Sequence, residues 1–157
     1  IGNFDGFHIG HADIIKVINK LAVSKSSKSL LVTFKPAPRE VLSNSFDDYL
    51  ITSFNKKMEL LEGSGLDFVY VVDFDESFAA MKANDYIESF LFKKFKPSDI
   101  VVGYDHFFGR DREGSFELLN QYKNKFGYEL HKINKIKFCF CIETFSSTLT
   151  KYFINIF

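Results

Sequence analysis

Apolar residues recur with two different spacings along the chain, and their alternation predicts the order of its elements. Three segments have the spacing of an amphipathic helix, and three others are short continuous apolar runs typical of buried strands. The helical segments are residues 10–23, 84–95 and 115–126, and the apolar runs are residues 30–34, 68–72 and 100–102. Strands that alternate with helices predict an α/β domain with a largely parallel sheet.

Capping and turn residues predict the remaining elements. A helix capped by Thr52 or Ser53 is expected to end at residues 63–65. Further expected elements are a short helix at residues 77–81, strands at residues 128–133 and 137–142, and a last short helix from residue 144. Residues 36–50 are expected to form a loop because two prolines stop the preceding strand. A connection of this length often marks a binding or lid segment.

Four glycine-rich or polar segments follow the predicted strands, which suggests one common site. They are residues 2–11, 33–38, 103–112 and 144–151. In open parallel sheets, ligands bind beyond the carboxyl ends of the strands. We therefore expect these four segments to converge at one edge of the sheet.

The opening segment, residues 1–11, contains three glycines, one carboxylate and two histidines directly before a helix. The unpaired N–H groups and partial positive charge of a helix N-terminus suit phosphate. His8 and His11 are three residues apart and are expected on one face of the first turn, which predicts a polyphosphate cradle. The alternative is that both histidines are ordinary surface residues. The turn should leave a strand, yet only Ile1 and Gly2 precede Asn3, so a first strand is expected to be lacking.

Composition narrows the class of protein. The 157 residues suit a single domain, and 46% of them are apolar, as in a globular chain. Lys plus Arg and Asp plus Glu both number 20, which argues against a nucleic-acid partner. Cys139 and Cys141 are expected to be reduced strand residues, and their spacing predicts no metal site. Without a signal peptide or long apolar span, we expect a cytoplasmic protein with no membrane partner.

Four motifs together resemble one family. The Gly-Asn-Phe-Asp-Gly-x-His-x-Gly-His phrase at residues 2–11 resembles the nucleotidyltransferase signature. Residues 33–38 (Thr-Phe-Lys-Pro-Ala-Pro), 101–109 (Val-Val-Gly-Tyr-Asp-His-Phe-Phe-Gly) and 146–148 (Ser-Ser-Thr) follow in the order of one branch of that superfamily. The whole chain resembles the FAD synthetase (FMN adenylyltransferase) module of bacterial bifunctional riboflavin kinase/FAD synthetases.

The resemblance implies a three-layer α/β/α Rossmann-like nucleotidyltransferase fold and adenylyl transfer from ATP, with Mg²⁺, to FMN. Its implied catalytic residues are His8, His11 and Lys151. Its implied ATP-binding residues are Gly2, Asn3, Phe4, Gly10, Gly103, Asp105, Ser146, Ser147 and Thr148. Its implied flavin-binding residues are Asp5, Thr33, Phe34, Lys35, Pro36, Phe108 and Arg112. It implies one adenylyltransferase domain over residues 1–157 without a riboflavin kinase domain, so a fused or separate kinase is the expected partner.

Three positions depart from the family pattern. Ala37 stands where the family has histidine, His106 replaces a phenylalanine, and Lys151 replaces an arginine. Lysine keeps the charge but not the bidentate fork, so weaker triphosphate binding is expected. Two alternatives stay open at this point. One is another nucleotidyltransferase with a different phosphate acceptor, and the other is a flavin- or nucleotide-binding module without catalysis.

Overall fold

A computed structural model of the chain describes residues 1–42 and 50–133, which form parallel strands and connecting helices. The strands are β1 Leu30–Lys35, β2 Phe68–Asp73, β3 Asp99–Gly103 and β4 Glu129–Ile133. The helices are α1 Ile9–Ser24, α2 Pro38–Leu42, α3 Phe54–Glu62, α4 Glu76–Ala79, α5 Ala83–Asp85, α6 Lys93–Phe95 and α7 Phe116–Phe126. A π-helix, Tyr86–Phe92, joins α5 to α6, and a 3₁₀ turn spans Arg110–Arg112. The predicted strand at residues 137–142, the final helix and both cysteines lie outside the described residues.

The strands pair in parallel, as the sequence predicts. β1 lies beside β2, with Leu30 opposite Phe68 at one end of the ladder. β3 lies beside β4, with Asp99 opposite Glu129. Helices precede and follow these pairs along the chain, so the predicted α/β class is confirmed.

An apolar groove of about 600 Å³ is lined by side chains of both β1 and β3. Leu30 and Val32 contribute from β1, and Ile100 and Val101 from β3. The Gly2 N–H donates to the Val32 carbonyl at 3.0 Å, so the opening residues run beside the second half of β1. Within the described part of the chain, β1 and β3 each pair with one strand. The expected additional strand before the opening turn stays a prediction.

Helix ends follow the capping residues of the sequence. The Ser53 hydroxyl accepts the Lys56 N–H at 3.3 Å, so Ser53 is the cap of α3 and the expected helix is confirmed. Gly127 ends α7 with φ 72°, a left-handed conformation that glycine adopts without strain. Lys96 adopts the same region directly before Pro97 and ends α6.

Two regions differ from the sequence prediction. Residues 38–42 form α2 within the expected loop, because Pro38 suits the first position of a helix and the Glu40 carboxylate accepts the Ala37 N–H. The expected helix at residues 84–95 contains the π-helix. In that helix Tyr86, Ile87, Phe90, Leu91 and Phe92 are all buried. The wider turn directs more apolar side chains into the core than the expected single face does.

Buried side chains form two clusters on either side of the strands. The larger cluster joins β1, β3 and the π-helix, and the smaller one, around Ile15, Leu31 and Leu61, lies beneath the opening turn. The opening turn is therefore anchored by Phe4, which is 3% exposed and belongs to the smaller cluster. No helix within residues 1–42 and 50–133 is long and apolar enough to cross a bilayer.

Candidate active site

The opening turn has a tightly curved backbone held by a single carboxylate. Phe4, Gly6 and Phe7 have φ values of 54°, 74° and 37°. The two oxygens of Asp5 accept the N–H groups of Ile51 at 3.2 Å and Thr52 at 2.9 Å. The Gly6 N–H donates to the Thr52 hydroxyl at 2.9 Å. Asp5 thus fastens the turn to the segment before α3, while its predicted contact with flavin stays a prediction.

The two histidines of the motif stack on each other at the start of α1. Their ring centroids are 3.7 Å apart and their planes differ by 22°, so the expected common face is confirmed. His8 occupies the cap position and makes no side-chain cap bond, which leaves the helix end open on this side. A Cβ at Gly10 would lie 3.1 Å from the His8 ring, so glycine gives the imidazole room to fold over the helix.

His11 is the more enclosed member of the pair. Burial, with a smaller contribution from His8, lowers the pKa of His11 to about 4, although Asp5 and Asp105 act in the opposite direction. Its Nδ1 is buried and has no hydrogen-bond partner within residues 1–42 and 50–133. His11 is therefore neutral at physiological pH in the ligand-free protein.

A cavity of about 710 Å³ opens beyond the carboxyl ends of β1 and β3. The opening turn, the end of β1, α4 and residues 103–112 line it. Three residues in this lining have a buried polar atom that finds no partner among the described residues: Asn3 Oδ1, His11 Nδ1 and the Tyr86 hydroxyl. Because buried polar groups are nearly always hydrogen-bonded, three such atoms at one cavity indicate a ligand that completes them.

One wall of this cavity, which we call the aromatic wall, is built from rings of five separate segments. Its members are Phe34, Phe74, Phe78, Tyr86 and Phe108. Neighbouring centroids are 5.5 Å apart for Phe34 and Phe74 and 5.0 Å apart for Tyr86 and Phe108. Burial raises the pKa of the Tyr86 hydroxyl, so it stays protonated and can donate. An apolar aromatic surface with one donor suits a planar heteroaromatic ring.

Residues 103–114 form a loop that is pinned to the start of α5. The Arg110 N–H donates to the Met81 carbonyl at 2.8 Å, and the Glu113 carboxylate accepts the Ala83 N–H at 2.8 Å. A Cβ at Gly109 would lie 2.8 Å from the Ala83 backbone, so only glycine allows this approach. The loop thereby holds Phe108 in the aromatic wall.

The outer part of the same loop carries the cationic and acidic groups at the cavity. The Arg112 guanidinium lies 5.0 Å from the ring of Phe107, which is half exposed. Asp105 is exposed, and its carboxylate lies near Gly103 at the end of β3. Asp105 and Arg112 are both exposed at the rim of the main cavity, where they can contact a bound ligand.

A second, smaller cavity of about 200 Å³ adjoins the main one. Asn3 and Phe34 line both cavities, and Lys35, Pro36 and Ala37 line the smaller one. The Lys35 ammonium lies 4.4 Å from the centre of the Phe54 ring, which holds its charge at this end of β1.

The structure gathers most of the predicted site residues around these two cavities. Those in the main cavity are Gly2, Asn3, Phe4, His11, Phe34, Gly103, Asp105, Phe108 and Arg112, and those in the smaller one include Asp5, Lys35 and Pro36. Thr33 is fully buried, and its hydroxyl donates to the Asn3 carbonyl at 3.1 Å instead of reaching either cavity. Ser146, Ser147, Thr148 and Lys151 lie outside the described residues. Every predicted role in binding or catalysis stays a prediction.

Two residues of the site were not predicted from the sequence. The apolar spacing of residues 84–95 puts Tyr86 on the apolar face of a helix, where the sequence does not distinguish its phenol from a ring of the core. Lys57, on α3, was assigned no role, although only 5% of it is exposed. A lysine in an amphipathic helix normally faces solvent, so only the structure identifies it.

The sequence of this chain is similar to those of known proteins. The family model described as FAD synthetase matches residues 1–149. A bifunctional riboflavin kinase/FMN adenylyltransferase of Buchnera aphidicola subsp. Schizaphis graminum is 27% identical over 96% of this chain and 48% of its own length. The protein of that description from Escherichia coli K12 is 32% identical over 83% of this chain and 42% of its own length.

A solved structure shares the fold. The crystal structure of a macrolide-efflux protein from Streptococcus pneumoniae superposes with a TM-score of 0.75 and 27% identity, over 87% of this chain and 45% of that one. This chain spans about half the length of the curated relatives that it matches. Since the family model covers nearly all of its residues, the chain belongs to the FAD synthetase family.

Proposed function

We propose that this chain transfers the adenylyl group of ATP to the phosphate of FMN, giving FAD and pyrophosphate. The observation that carries the proposal is the main cavity, where His11, with His8 stacked on it, and the aromatic wall face a common space. One side suits a polyphosphate and the other suits a planar ring, which are the two parts that the reaction must bring together. The relatives are bifunctional riboflavin kinase/FMN adenylyltransferases, which supports the same pair of substrates.

The reaction needs alignment and charge neutralisation rather than a covalent intermediate. An oxygen of the FMN phosphate attacks the α-phosphorus of ATP, and the bond from that phosphorus to the bridging oxygen of the β-phosphate breaks. Pyrophosphate leaves with the electron pair of that bond. Charge accumulates on the leaving group, so donors aimed at it lower the barrier.

The polyphosphate side is assigned to the start of α1. His8 and His11 donate to the leaving pyrophosphate, and the open N-terminus of a sixteen-residue helix adds its partial positive charge. Asn3 and Phe4 line the nucleotide side with Gly2 and Gly103, and Asp105 accepts from a ribose hydroxyl. Ser146, Ser147, Thr148 and Lys151 complete the phosphate contacts in this proposal.

The flavin side is assigned to the aromatic wall and the end of β1. The isoalloxazine ring lies against Phe34 and Phe108, with Tyr86 donating to an acceptor on the ring edge. Lys35 and Arg112 supply positive charge for the FMN phosphate, as Arg and Lys commonly do. Ala37 is buried at 4% exposure beside this region, so the position where the family has histidine contributes only packing.

Magnesium enters as part of the substrate MgATP. Within the described residues, no group of three His, Cys, Asp or Glu side chains is placed to hold a metal ion. Both Asp5 oxygens are engaged by backbone N–H groups. The triphosphate oxygens and water are the natural ligands of this ion. The cytoplasmic location and a fused or separate riboflavin kinase that supplies FMN belong to the same proposal.

The test is to incubate the chain with ATP, Mg²⁺ and FMN and to separate the products by chromatography. We expect FAD and pyrophosphate in equal amounts, and none of either when EDTA is present. Turnover with another phosphate acceptor, but not with FMN, would favour a different nucleotidyltransferase. Binding of both ATP and FMN without any FAD would favour a non-catalytic flavin- or nucleotide-binding module.

A further inference from the structure

Lys57 is a buried cation with a complete set of acceptors. Its ammonium donates to the Asn3 carbonyl at 3.1 Å, the Thr33 hydroxyl at 3.1 Å and the Phe34 carbonyl at 3.3 Å. Three donors thus meet three oxygens, the full capacity of an ammonium group. Burial lowers the pKa of Lys57, against the opposing influence of Asp5 and Glu40. Burying a charge costs free energy unless the charge is paired and hydrogen-bonded, and these three bonds offset that cost.

The three acceptors belong to two different halves of the site. Asn3 lies in the opening turn, which carries the histidine pair, whereas Thr33 and Phe34 lie at the end of β1, where the aromatic wall begins. The Thr33 hydroxyl also donates to the Asn3 carbonyl at 3.1 Å, which closes a triangle of bonds. Lys57 and Thr33 therefore form a buried link between the two halves.

This link joins the two residues shared by both cavities, and Lys57 itself lines the smaller one. Asn3 and Phe34 line the main and the smaller cavity alike, and each offers its backbone carbonyl to the same ammonium. The partners are carbonyl and hydroxyl oxygens rather than carboxylates, so the bonds fix positions instead of neutralising charge. A shift of either half would break at least one of them.

We propose that Lys57 is a positioning residue for adenylyl transfer, because its ammonium fixes the phosphate-binding turn relative to the strand end that holds the flavin. This inference rests on the proposed function. Each substrate binds to one half, so loss of the link changes the placement of the two halves relative to each other more than the affinity of either. What the link sets is the distance and angle between the attacking oxygen and the α-phosphorus, and misalignment of this kind lowers kcat.

The first experiment compares Lys57→Met with Lys56→Met. Methionine keeps the length and apolar body of the side chain but removes the ammonium. Lys56 is the adjacent residue, half exposed and paired with Glu59 across one turn of α3, so it controls for loss of a positive charge. We expect Lys57→Met to lower kcat about tenfold to a hundredfold. The KM values for ATP and FMN should change by about threefold or less, and Lys56→Met should match the parent.

Two results, one for kcat and one for KM, would overturn the proposal. A Lys57→Met protein with parental kcat and only a lower thermal midpoint would show a purely structural lysine. An increase in one KM that accounts for the whole loss of kcat/KM would show that Lys57 serves one substrate only.

A second pair of variants covers the case in which Lys57→Met does not fold. Thr33→Val keeps the shape of the side chain but removes the hydroxyl between Lys57 and Asn3, whereas Thr33→Ser keeps that hydroxyl. We expect Thr33→Val to lose more kcat than Thr33→Ser. Equal kcat values for the two variants would contradict the proposal.

A measurement without turnover separates this inference from the proposed function. Release of the turn exposes His11, so an NMR titration of its ring should show the pKa rising from about 4 toward its ordinary value in Thr33→Val. If the parent makes no FAD and this pKa still rises, the proposed reaction fails and the link stands. If the pKa does not move, the link fails whatever the parent catalyses.

Discussion

The two halves of the site are built in different ways. The proposed phosphate-binding half comes from one stretch of eleven residues, whose backbone curvature and helix start place His8 and His11 together. The aromatic wall comes from five segments that meet only in the folded chain. The first half is polar and contains a histidine that titrates, whereas the second is apolar and packed. Substitutions in the first half should therefore alter the chemistry, and those in the second should alter flavin binding and stability.

The largest expected effect is on the histidine pair. His11→Ala should lower kcat about tenfold to a thousandfold, because one donor to the developing charge is lost. His8→Ala should fall within the same range, and FMN affinity should stay near the parental value for both. His131, bonded to Asp99 at the opposite end of the strands, supplies the control, and His131→Ala should keep the parental kcat. Parental rates in both motif variants would refute the phosphate-binding assignment.

The aromatic wall should show the reverse pattern. Phe108 is 7% exposed and packs on Tyr86, so Phe108→Ala should cost about 3 kcal/mol of unfolding free energy and weaken FMN binding about tenfold or more. ATP affinity should change little. Phe126 is the matched control. Its ring stacks on that of Phe92, with the centroids 4.2 Å apart, and it does not line the main cavity. Phe126→Ala should lose stability and keep FMN affinity, and equal loss of FMN affinity in both variants would exclude a flavin at the wall.

Tyr86→Phe isolates a single hydroxyl. Since that hydroxyl bonds to no other group in the described part of the chain, its removal should not lower the thermal midpoint, yet the KM for FMN should rise about threefold to tenfold. The Tyr128 hydroxyl, by contrast, donates to the Leu119 carbonyl in the core. Tyr128→Phe should therefore lose stability without affecting FMN. An unchanged KM for FMN in Tyr86→Phe would show that the hydroxyl does not meet the flavin.

The smallest expected effect is the pH dependence of stability. Folding lowers the pKa of His11 from 6.5 to about 4, so the unfolded chain binds the proton more tightly. Above pH 6.5, His11 does not affect the free energy of unfolding. As the pH falls from 6.5 to 4, its proton uptake in the unfolded chain progressively lowers that free energy. Thermal midpoints across this range should fall less steeply in His11→Ala than in the parent. Identical slopes would mean that His11 is not buried.

The sequence predicted those parts of the site whose geometry is local. The spacing of His8 and His11 determines a common helix face, and Ser53 caps α3 because its hydroxyl acts within one turn. The sequence did not predict Tyr86 and Lys57 as site residues, because their positions in the site depend on segments far away along the chain. Tyr86 shares its helix face with core residues, and the ammonium of Lys57 finds acceptors 23 to 54 residues away along the chain.

The same contrast explains the errors in the fold. Strands β1, β2 and β3 were predictable because their apolar runs are short and are bounded by glycine, proline, serine or aspartate. Helix α2 was not predicted because prolines on both sides of Ala37 are typical of a loop. In the structure, Pro38 is the first residue of the helix. The sequence predicts a regular α-helix where the structure has the π-helix Tyr86–Phe92, because neither the apolar residues nor their spacing indicates the wider turn.

The most direct test of the central claim follows the α-phosphorus itself. ATP labelled with ³²P at the α-position is incubated with the chain, Mg²⁺ and FMN, and the products are separated. If the histidine pair and the aromatic wall hold the two substrates across one cavity, all transferred label will be in FAD and the pyrophosphate will be unlabelled. Label confined to ATP, AMP or ADP, with both substrates bound, would contradict the account.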